Sequence, residues 1–565
     1  MLVEALVERG VDTVFGFPGD TSIALYDVLS RRSGEIRHVL ARDERHTGFM
    51  ADAHSRTTRR LGVCEASSGA GAVYLASGLA EAYASSIPLL AIATDNSRRS
   101  HGTAPISEVD QEQLFAACTK WRRVASDPAE IPQLVEEAVT VASQGRPGPV
   151  VIILPEDVLE GSADAWPDRP ATPATVPVRR DAAPAAAVAA AAAWLAAAGR
   201  PVVVAGGGAH LSGAAGALTA LSDHLAMPVA TSVHGKGVVD EAGPLALGVV
   251  GANGARDYAN RFVADSDLVL FVGTRANATD TLGFTAPSRE GVRILHIEAD
   301  PGRAARNYPG GIGLVGDAAT VLEQLRAAVP AADGAVRTAR AAELAALREQ
   351  WTKNLQQAPQ LPPGVLYPRD VVWALRDAFG RGTWITADAG TPTPYLACYW
   401  EAPGDGWRVV IPRGHGPMGF AAPAAIGVAV AHPGQRVLCL TTENSLAMCT
   451  GELETAKRLG LPVTYVVLDN TSMGWIKMIQ HLYAGARYFA VDPGPIDPVL
   501  LGQGMGVPGA RARTLDQLAA MAKESADSDG PTLIHVAVPE HMDAPPPVPV
   551  WQAALSGTST SRPIH

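Results

Sequence analysis

Short apolar runs recur along the chain between stretches of helical spacing. The run VVIILP at 150–155 lies between GRPGP at 145–149 and the acids Glu156 and Asp157. A continuous apolar run of that length, closed on both sides by turn or charged residues, predicts a strand covered on both faces. The same signature recurs at PVVVA (201–205), DLVLFV (267–272), RILHI (293–297), WITA (384–387), RVLCL (436–440), VTYVVL (463–468) and TLIHVA (532–537). Helical patterns stand around them: apolar spacing at Leu2, Ala5 and Leu6, an alanine-dominated segment at 185–198, and the charged segment TARAAELAALR at 338–348. Strands alternating with helices build parallel βαβ units, so the pattern predicts an α/β chain of three consecutive doubly wound parallel-sheet domains.

Composition places the breaks. Pro/Ala/Asp-rich sequence after the first block assigns 1–160 to a first domain and 161–184 to a linker. A central domain spans 185–330, and a second linker at 331–364 carries the charged helix and ends in QLPPG. The third domain is 365–541. In the tail, 542–565, the stretch DAPPPVPVW reads as an extended arm or as disordered. The 565 residues suit several cores rather than one. A net charge of −11 offers no basic footprint to nucleic acid or to an anionic membrane, and no uninterrupted apolar run reaches the roughly 18 residues of a membrane span. Cys64, Cys118, Cys398, Cys439 and Cys449 are scattered and without C-x-x-C spacing. With acids rather than a signal peptide near the N-terminus, they predict reduced thiols in a cytoplasmic protein.

Chemistry enters at two strand ends. VLCL at 437–440 runs into Thr441, Thr442, Glu443, Asn444 and Ser445, and the next apolar run ends in Asp469 and Asn470. Ligands of open parallel sheets sit at the carboxyl ends of strands, where helix N-termini supply N–H groups. Adjacent strands would bring a carboxylate, an amide oxygen and a backbone carbonyl into one crevice. That is a hard, oxygen-only set suited to Mg²⁺ on a phosphate. By spacing alone, the same residues also serve as helix and turn caps.

These strand ends resemble the thiamin-diphosphate fingerprint of the acetolactate synthase and pyruvate decarboxylase superfamily, where Gly-Asp-Gly is followed at this spacing by Asn-Asn. Further segments resemble the family in the same order: VFGFPG (14–19), IRHVLARDE (36–44), SSGAGA (67–72), GRPGP (145–149) and MGFAAP (418–423). The resemblance covers roughly 2–541 and is closest in pattern to the acetolactate synthase large subunit. It implies pyrimidine-binding, central and diphosphate-binding domains, with thiamin diphosphate and Mg²⁺ as cofactors. The sequence departs from the family at Thr442-Glu443-Asn444, which replaces Gly-Asp-Gly, and at Asp469-Asn470, which replaces Asn-Asn. Glutamate keeps the charge but reaches one methylene further, and Asn tolerates a left-handed backbone better than most residues.

Carried over residue by residue, the resemblance makes Glu44 the catalytic glutamate at the cofactor's N1′, where it favours the tautomer that removes the C2 proton. Its neighbours Arg42, Asp43, Arg45 and His46 would alone read as a solvated, mutually screened charge cluster. Met418 matches the apolar wedge that bends the cofactor, and the Gly416 carbonyl the acceptor of its 4′-amino group. Gly390, Thr391, Asn444 and Ser445 match diphosphate contacts, and Glu443, Asn470 and Ser472 the metal ligands. Phe17, His46, His415, Trp475 and Ile476 are candidates for the substrate pocket, with His46, His101 and His415 as possible proton carriers. The turns GGG (206–208), HGKG (234–237), GANG (251–254), GTR (273–275) and Gly316-Asp317 resemble loops that hold a non-catalytic FAD in some relatives. Such turns also arise where helices pack closely.

The cofactor supplies the carbanion chemistry, so the reaction is set by residues facing its C2. The chain has no His-His pair, and Ile476 stands where superfamily decarboxylases carry an acid. That resembles the carboligase branch: a 2-oxo acid is decarboxylated and the acyl-anion equivalent passes to a second acceptor. Against that branch, its Gly-Gln before the mobile loop is Thr94-Asp95 here, although Arg98-Arg99 persists. A simple decarboxylase, a 2-hydroxyacyl lyase, an oxidase and a non-catalytic homologue remain as alternatives. Relatives assemble the cofactor site between subunits, which implies a homodimer or homotetramer.

Overall fold

The computed structural model describes residues 1–163, 174–254, 256–355 and 358–558. The first sheet comprises β1 (Thr13–Phe17), β2 (Arg37–Leu40), β3 (Gly62–Ala66), β4 (Leu89–Asp95), β5 (Trp121–Val124) and β6 (Val150–Pro155), in the order β2-β1-β3-β4-β6-β5. The second comprises β7 (Pro201–Ala205), β8 (Val229–Thr231), β9 (Ala246–Val249), β10 (Leu268–Val272), β11 (Arg293–Glu298) and β12 (Ile312–Val315), ordered β12-β11-β10-β7-β8-β9. The third comprises β13 (Trp384–Ala387), β14 (Val409–Val410), β15 (Val437–Thr442), β16 (Val463–Asp469), β17 (Gly509–Ala512) and β18 (Thr532–Ala537), ordered β14-β13-β15-β16-β18-β17. All three sheets are parallel and flanked by helices. Central strands such as β4, β6 and β16 are buried at every position, which is why they lack polar alternation.

By internal contacts the chain forms two units. The first is Met1–Arg179 with Pro412–Gln435 and Cys449–Val463; the second is Arg180–Ile411, Arg436–Met448 and the described residues from Thr464 onward. The first unit holds the first sheet, the second the other two. Helices Ala421–Ala431 and Gly451–Arg458, assigned by sequence to the third domain, therefore cluster with the first. Glycine is the reason for one of these contacts: a Cβ on Gly427 would lie 2.1 Å from the Met50 carbonyl oxygen. The helix Glu44–Thr58 also meets Ala70–Ser85 closely, since a Cβ on Gly48 would lie 2.9 Å from Gly78 Cα. Only glycine lets two helix backbones approach that far.

Within the first linker, 164–173 lie outside the described residues. After them, Leu61 N–H donates to the Ala174 carbonyl and Val176 N–H to that of Arg59. The second linker contains the 20-residue helix Gly334–Lys353. The tail differs from its expected extended or disordered state. Helix Pro549–Leu555 buries Trp551 in a cluster with Met478, Trp475 and Tyr483. Proline at the first helical position forfeits no hydrogen bond, and one buried indole supplies the apolar area that holds a short helix in place. Residues 559–565 lie outside the described residues. Among the described residues, no helix is long and apolar enough to cross a membrane.

Candidate functional site

In the first unit, Asp43 caps the helix that Glu44 begins, accepting the Arg45 N–H at 2.9 Å. The charges around Glu44 are taken up pairwise. Arg45 pairs with Asp43 at 2.7 Å, His46 Nδ1 with Glu452 at 2.8 Å, and Arg42 reaches Glu454 at 3.8 Å. Glu44 itself is half-buried. Its Oε1 and the Ser67 hydroxyl each stand 3.1 Å from the point a Cβ on Gly71 would occupy, so glycine leaves room beside the carboxylate. Burial raises the Glu44 carboxyl above the usual glutamate range, and the Asp43 charge adds to this. The charge cluster of the sequence is thus sorted into ion pairs, with Glu44 set apart from them.

The same unit carries the loop 412–418. Gly416 and Gly419 have φ of +77° and +75°, the left-handed region that glycine reaches without penalty. Met418 is half-buried and His415 exposed. Successive N–H groups of Gly414, His415 and Gly416 donate to the carboxylate of Glu81. Phe17 ends β1, half-buried. Neighbouring Gly16 sits over a second buried group: Tyr26 donates to Glu65 Oε2 at 2.7 Å and lies 3.0 Å from His38 Nε2. Burial pushes the Glu65 carboxyl up to about 8 and His38 down to about 4. His101 is exposed, with Nε2 3.0 Å from the Asn96 carbonyl and 3.6 Å from Asp95.

In the second unit, β15 and β16 are neighbours, so their carboxyl ends adjoin. Glu443 is the first residue of the helix Glu443–Cys449 and is buried. Asn444 Nδ2 donates both to Glu443 Oε1 at 2.8 Å and to the Ser472 carbonyl at 3.2 Å. Burial first, then the Asp469 charge, pushes Glu443 up to about 8, against backbone N–H donors that include Asn470 and Ser472. Asp469 is engaged elsewhere, accepting from Thr471 N–H and lying 2.9 Å from His535 Nε2. Asn470 Oδ1 accepts the Ser472 N–H, while its Nδ2 fills the space at Gly474, where a Cβ would lie 2.3 Å away. Ser445 N–H donates to Thr442 Oγ1. Thr391 pairs with His541 at 2.9 Å, and His541 meets the Trp475 ring edge-on. Ile476 is 45% exposed.

The donor set fits a hard cation bridging a diphosphate. One amide nitrogen within 3.2 Å of both Glu443 Oε1 and the Ser472 carbonyl shows that these oxygens converge, and the buried Ser472 hydroxyl has no hydrogen-bond partner among the described residues. Gly390 and Gly416, both at positive φ, have open space where a Cβ would stand, leaving backbone accessible to a ligand. In the central domain the turn 206–208 does not offer its N–H groups to a dinucleotide. Gly206 and Gly208 N–H groups, which would meet phosphates at the sheet's switch point, donate instead to Val272 and Gly273 carbonyls. The Trp407 indole lies 3.1 Å from the Cβ position of Gly207 and stacks on His210.

Sequence reasoning passed over Glu81, Glu65 and His541. Glu65 interrupts an apolar strand, a signal that could have been read; Glu81 and His541 carry no local signal.

The chain matches the models of the thiamine pyrophosphate enzyme N-terminal TPP binding domain at residues 1–114, central domain at 188–325 and C-terminal TPP binding domain at 388–536. It is 33% identical to the acetolactate synthase large subunit of Parasynechococcus marenigrum, over 97% of this chain and 88% of that protein. It is also 33% identical to the acetolactate synthase isozyme 2 large subunit of Escherichia coli, over 99% and 98%. With the acetolactate synthase of Arthrospira platensis the identity is 31%, over 87% and 85%.

Proposed function

Because the chain belongs to the thiamine pyrophosphate enzyme family, we propose that it is an acetolactate synthase-like carboligase that decarboxylates a 2-oxo acid and passes the acyl-anion equivalent to a second carbonyl acceptor. The observation that carries the chemistry is Glu44: a half-buried carboxyl with raised proton affinity, set apart from the ion pairs around it. When bound, thiamin diphosphate supplies carbanion stabilisation at its C2. Glu44 would hold the hydrogen bond at N1′, the Gly416 carbonyl would accept the 4′-amino group, and Met418 would support the ring. Gly390, Thr391, Asn444 and Ser445 would hold the diphosphate, with Mg²⁺ on Glu443, Asn470 and the Ser472 carbonyl. No step uses FAD.

The carboligase branch is supported by Ile476, an exposed apolar residue in the first turn of the helix Gly474–Tyr483, and by the likeness to acetolactate synthase large subunits. An apolar side chain there gives no acid to protonate the acyl-anion equivalent, which favours transfer to an acceptor over release as aldehyde. His46 contributes less directly than its position suggests, since Nδ1 is engaged by Glu452. His415, Phe17 and Trp475 remain the pocket candidates. We also propose a cytoplasmic protein, supported by five buried cysteines with no disulfide among the described residues, and a homodimer or homotetramer. Exposed Ile23, Val73 and Tyr74 give the first unit apolar surface that suits a subunit contact.

Calorimetry with thiamin diphosphate and Mg²⁺, followed by a 2-oxo acid screen read by product mass spectrometry, tests the proposal. A two-substrate condensation product supports it. Aldehyde alone, an acyl-CoA cleavage product or an oxidised acid would reassign the reaction to a decarboxylase, lyase or oxidase. Absence of cofactor binding would leave a non-catalytic homologue.

A further inference from the structure

Glu81 lies on the helix Ala70–Ser85 in the first unit and is fully buried. Oε1 accepts from Arg56 Nη2 at 3.2 Å, from the Ser85 hydroxyl at 2.6 Å and from Gly414 N–H at 3.1 Å. Oε2 accepts the N–H of His415 at 2.7 Å and of Gly416 at 3.1 Å. Five donors converge on one carboxylate, filling an acceptor capacity of about four lone-pair sites. Arg56, also buried, donates as well to Asp52, from Nε at 2.6 Å and from the same Nη2 at 3.0 Å. Burying such a charge is costly unless it is fully hydrogen-bonded, and here three of the five bonds come from consecutive residues of one loop. The same loop is pressed against the end of Glu81's helix. A Cβ on Gly414 would lie 2.3 Å from the Ser85 hydroxyl and 2.7 Å from its backbone nitrogen.

We propose that Glu81 is a positioning residue for the cofactor: it clamps the loop 414–416 so that the Gly416 carbonyl and Met418 stand ready for the aminopyrimidine before it arrives. This rests on the thiamin-diphosphate reading above. An isolated glycine-rich loop with φ of +77° at Gly416 has many other conformations available, and ordering it only on binding would cost affinity. A carboxylate is the group this position requires. The isosteric amide of Glu81→Gln turns an NH₂ either toward His415 and Gly416 or toward Arg56, Ser85 and Gly414, so one oxygen's donors always face another donor. Glu81→Asp keeps both acceptors and loses one methylene of reach.

The test uses the full chain and both variants, with three readouts. Hydrogen exchange on a peptide covering 412–420 reports the clamp, calorimetry reports thiamin diphosphate affinity with Mg²⁺, and loss of deuterium from C2 of the bound cofactor at saturation reports alignment. In Glu81→Gln the loop should exchange faster while the helices Glu44–Thr58 and Ala70–Ser85 stay protected. Affinity should fall roughly 10–100-fold, the range expected for losing hydrogen bonds to a charged group. C2 exchange should slow in parallel, and Glu81→Asp should recover part of all three. A role confined to stability would lower the melting temperature and leave C2 exchange at saturation unchanged, which overturns the proposal. So does a Gln variant that matches the wild type. If the Gln variant does not fold, the wild type decides: N–H groups of 414–416 that exchange as fast as an exposed loop in the cofactor-free protein overturn it, and protected ones with Asp-variant losses support it. A wild type that binds no thiamin diphosphate fails the functional reading itself, and this inference with it. One that binds while the variants equal it fails this inference alone.

Discussion

Glu44 and Glu443 hold parallel positions in two sheets. Each is the first residue of a helix that follows a parallel strand, β2 for one and β15 for the other. Both carboxyls are raised by burial, yet their surroundings differ. Glu443 is enclosed, with an amide from Asn444 and backbone N–H groups from the loop after β16 all directed at it. Glu44 Oε1 and the Ser67 hydroxyl share the space that Gly71 leaves open, and the charged neighbours of Glu44 have ion-pair partners of their own. A carboxylate meant to hold a cation is best assembled in advance with its co-ligands. One that exchanges a hydrogen bond with a ligand nitrogen is best left desolvated and free of competing cations. The two environments suit the two tasks proposed for them.

The sharpest way to break the contrast is Glu44→Gln. It keeps size and hydrogen bonding but removes the charge, so thiamin diphosphate should still bind while turnover falls on the order of 10²–10⁴-fold. Unchanged C2–H/D exchange of the bound cofactor would return Glu44 to an ordinary surface charge. Next comes the metal side. Glu443→Ala should abolish Mg²⁺-dependent cofactor binding measured by calorimetry. Asp469→Ala, which removes a partner of His535 and Thr471 and a charge near Glu443 but no proposed ligand, should cost roughly 10–100-fold. Equal losses would show that the ligand assignment is out of register.

Two smaller effects sharpen the picture. Gly474→Ala should force Asn470 out of place, since the new methyl would meet its Nδ2 at 2.3 Å. A destabilisation of about 1–3 kcal/mol is expected for such overpacking. Denaturant unfolding indistinguishable from wild type would mean the loop yields freely. The smallest concerns Glu65, whose carboxyl is pushed up to about 8 by burial. A raised acid favours the folded state below the unfolded value of about 4.3, and this contribution is lost as pH rises through 8. Melting scans from pH 5 to 9 should therefore show wild type losing stability relative to Glu65→Gln toward the alkaline end. Parallel curves would mean that Glu65 is ionised in the fold at neutral pH.

Legibility in the sequence followed the range of the interaction. VVIILP and PVVVA coincide with β6 and β7, because a strand buried on both faces must be apolar throughout. Glu443 and Asn470 could be paired from sequence because they end strands one βα unit apart. The tail was misread because DAPPPVPV suggests extension when neighbours are unseen, whereas Trp551 finds a partner in Trp475 only after folding.

What the sequence alone determined is the three-sheet α/β order, the strand-end positions of Glu443 and Asn470, and the resemblance that singled out Glu44, since periodicity and short motifs are local properties of the chain. Only the tertiary structure decided which charges are free to act. Glu81 and the loop it clamps are 333 to 335 residues apart, and Glu452 lies 406 from the His46 it occupies. A carboxylate's role depends on which donors reach it and how much water remains, and both are settled by packing between distant segments.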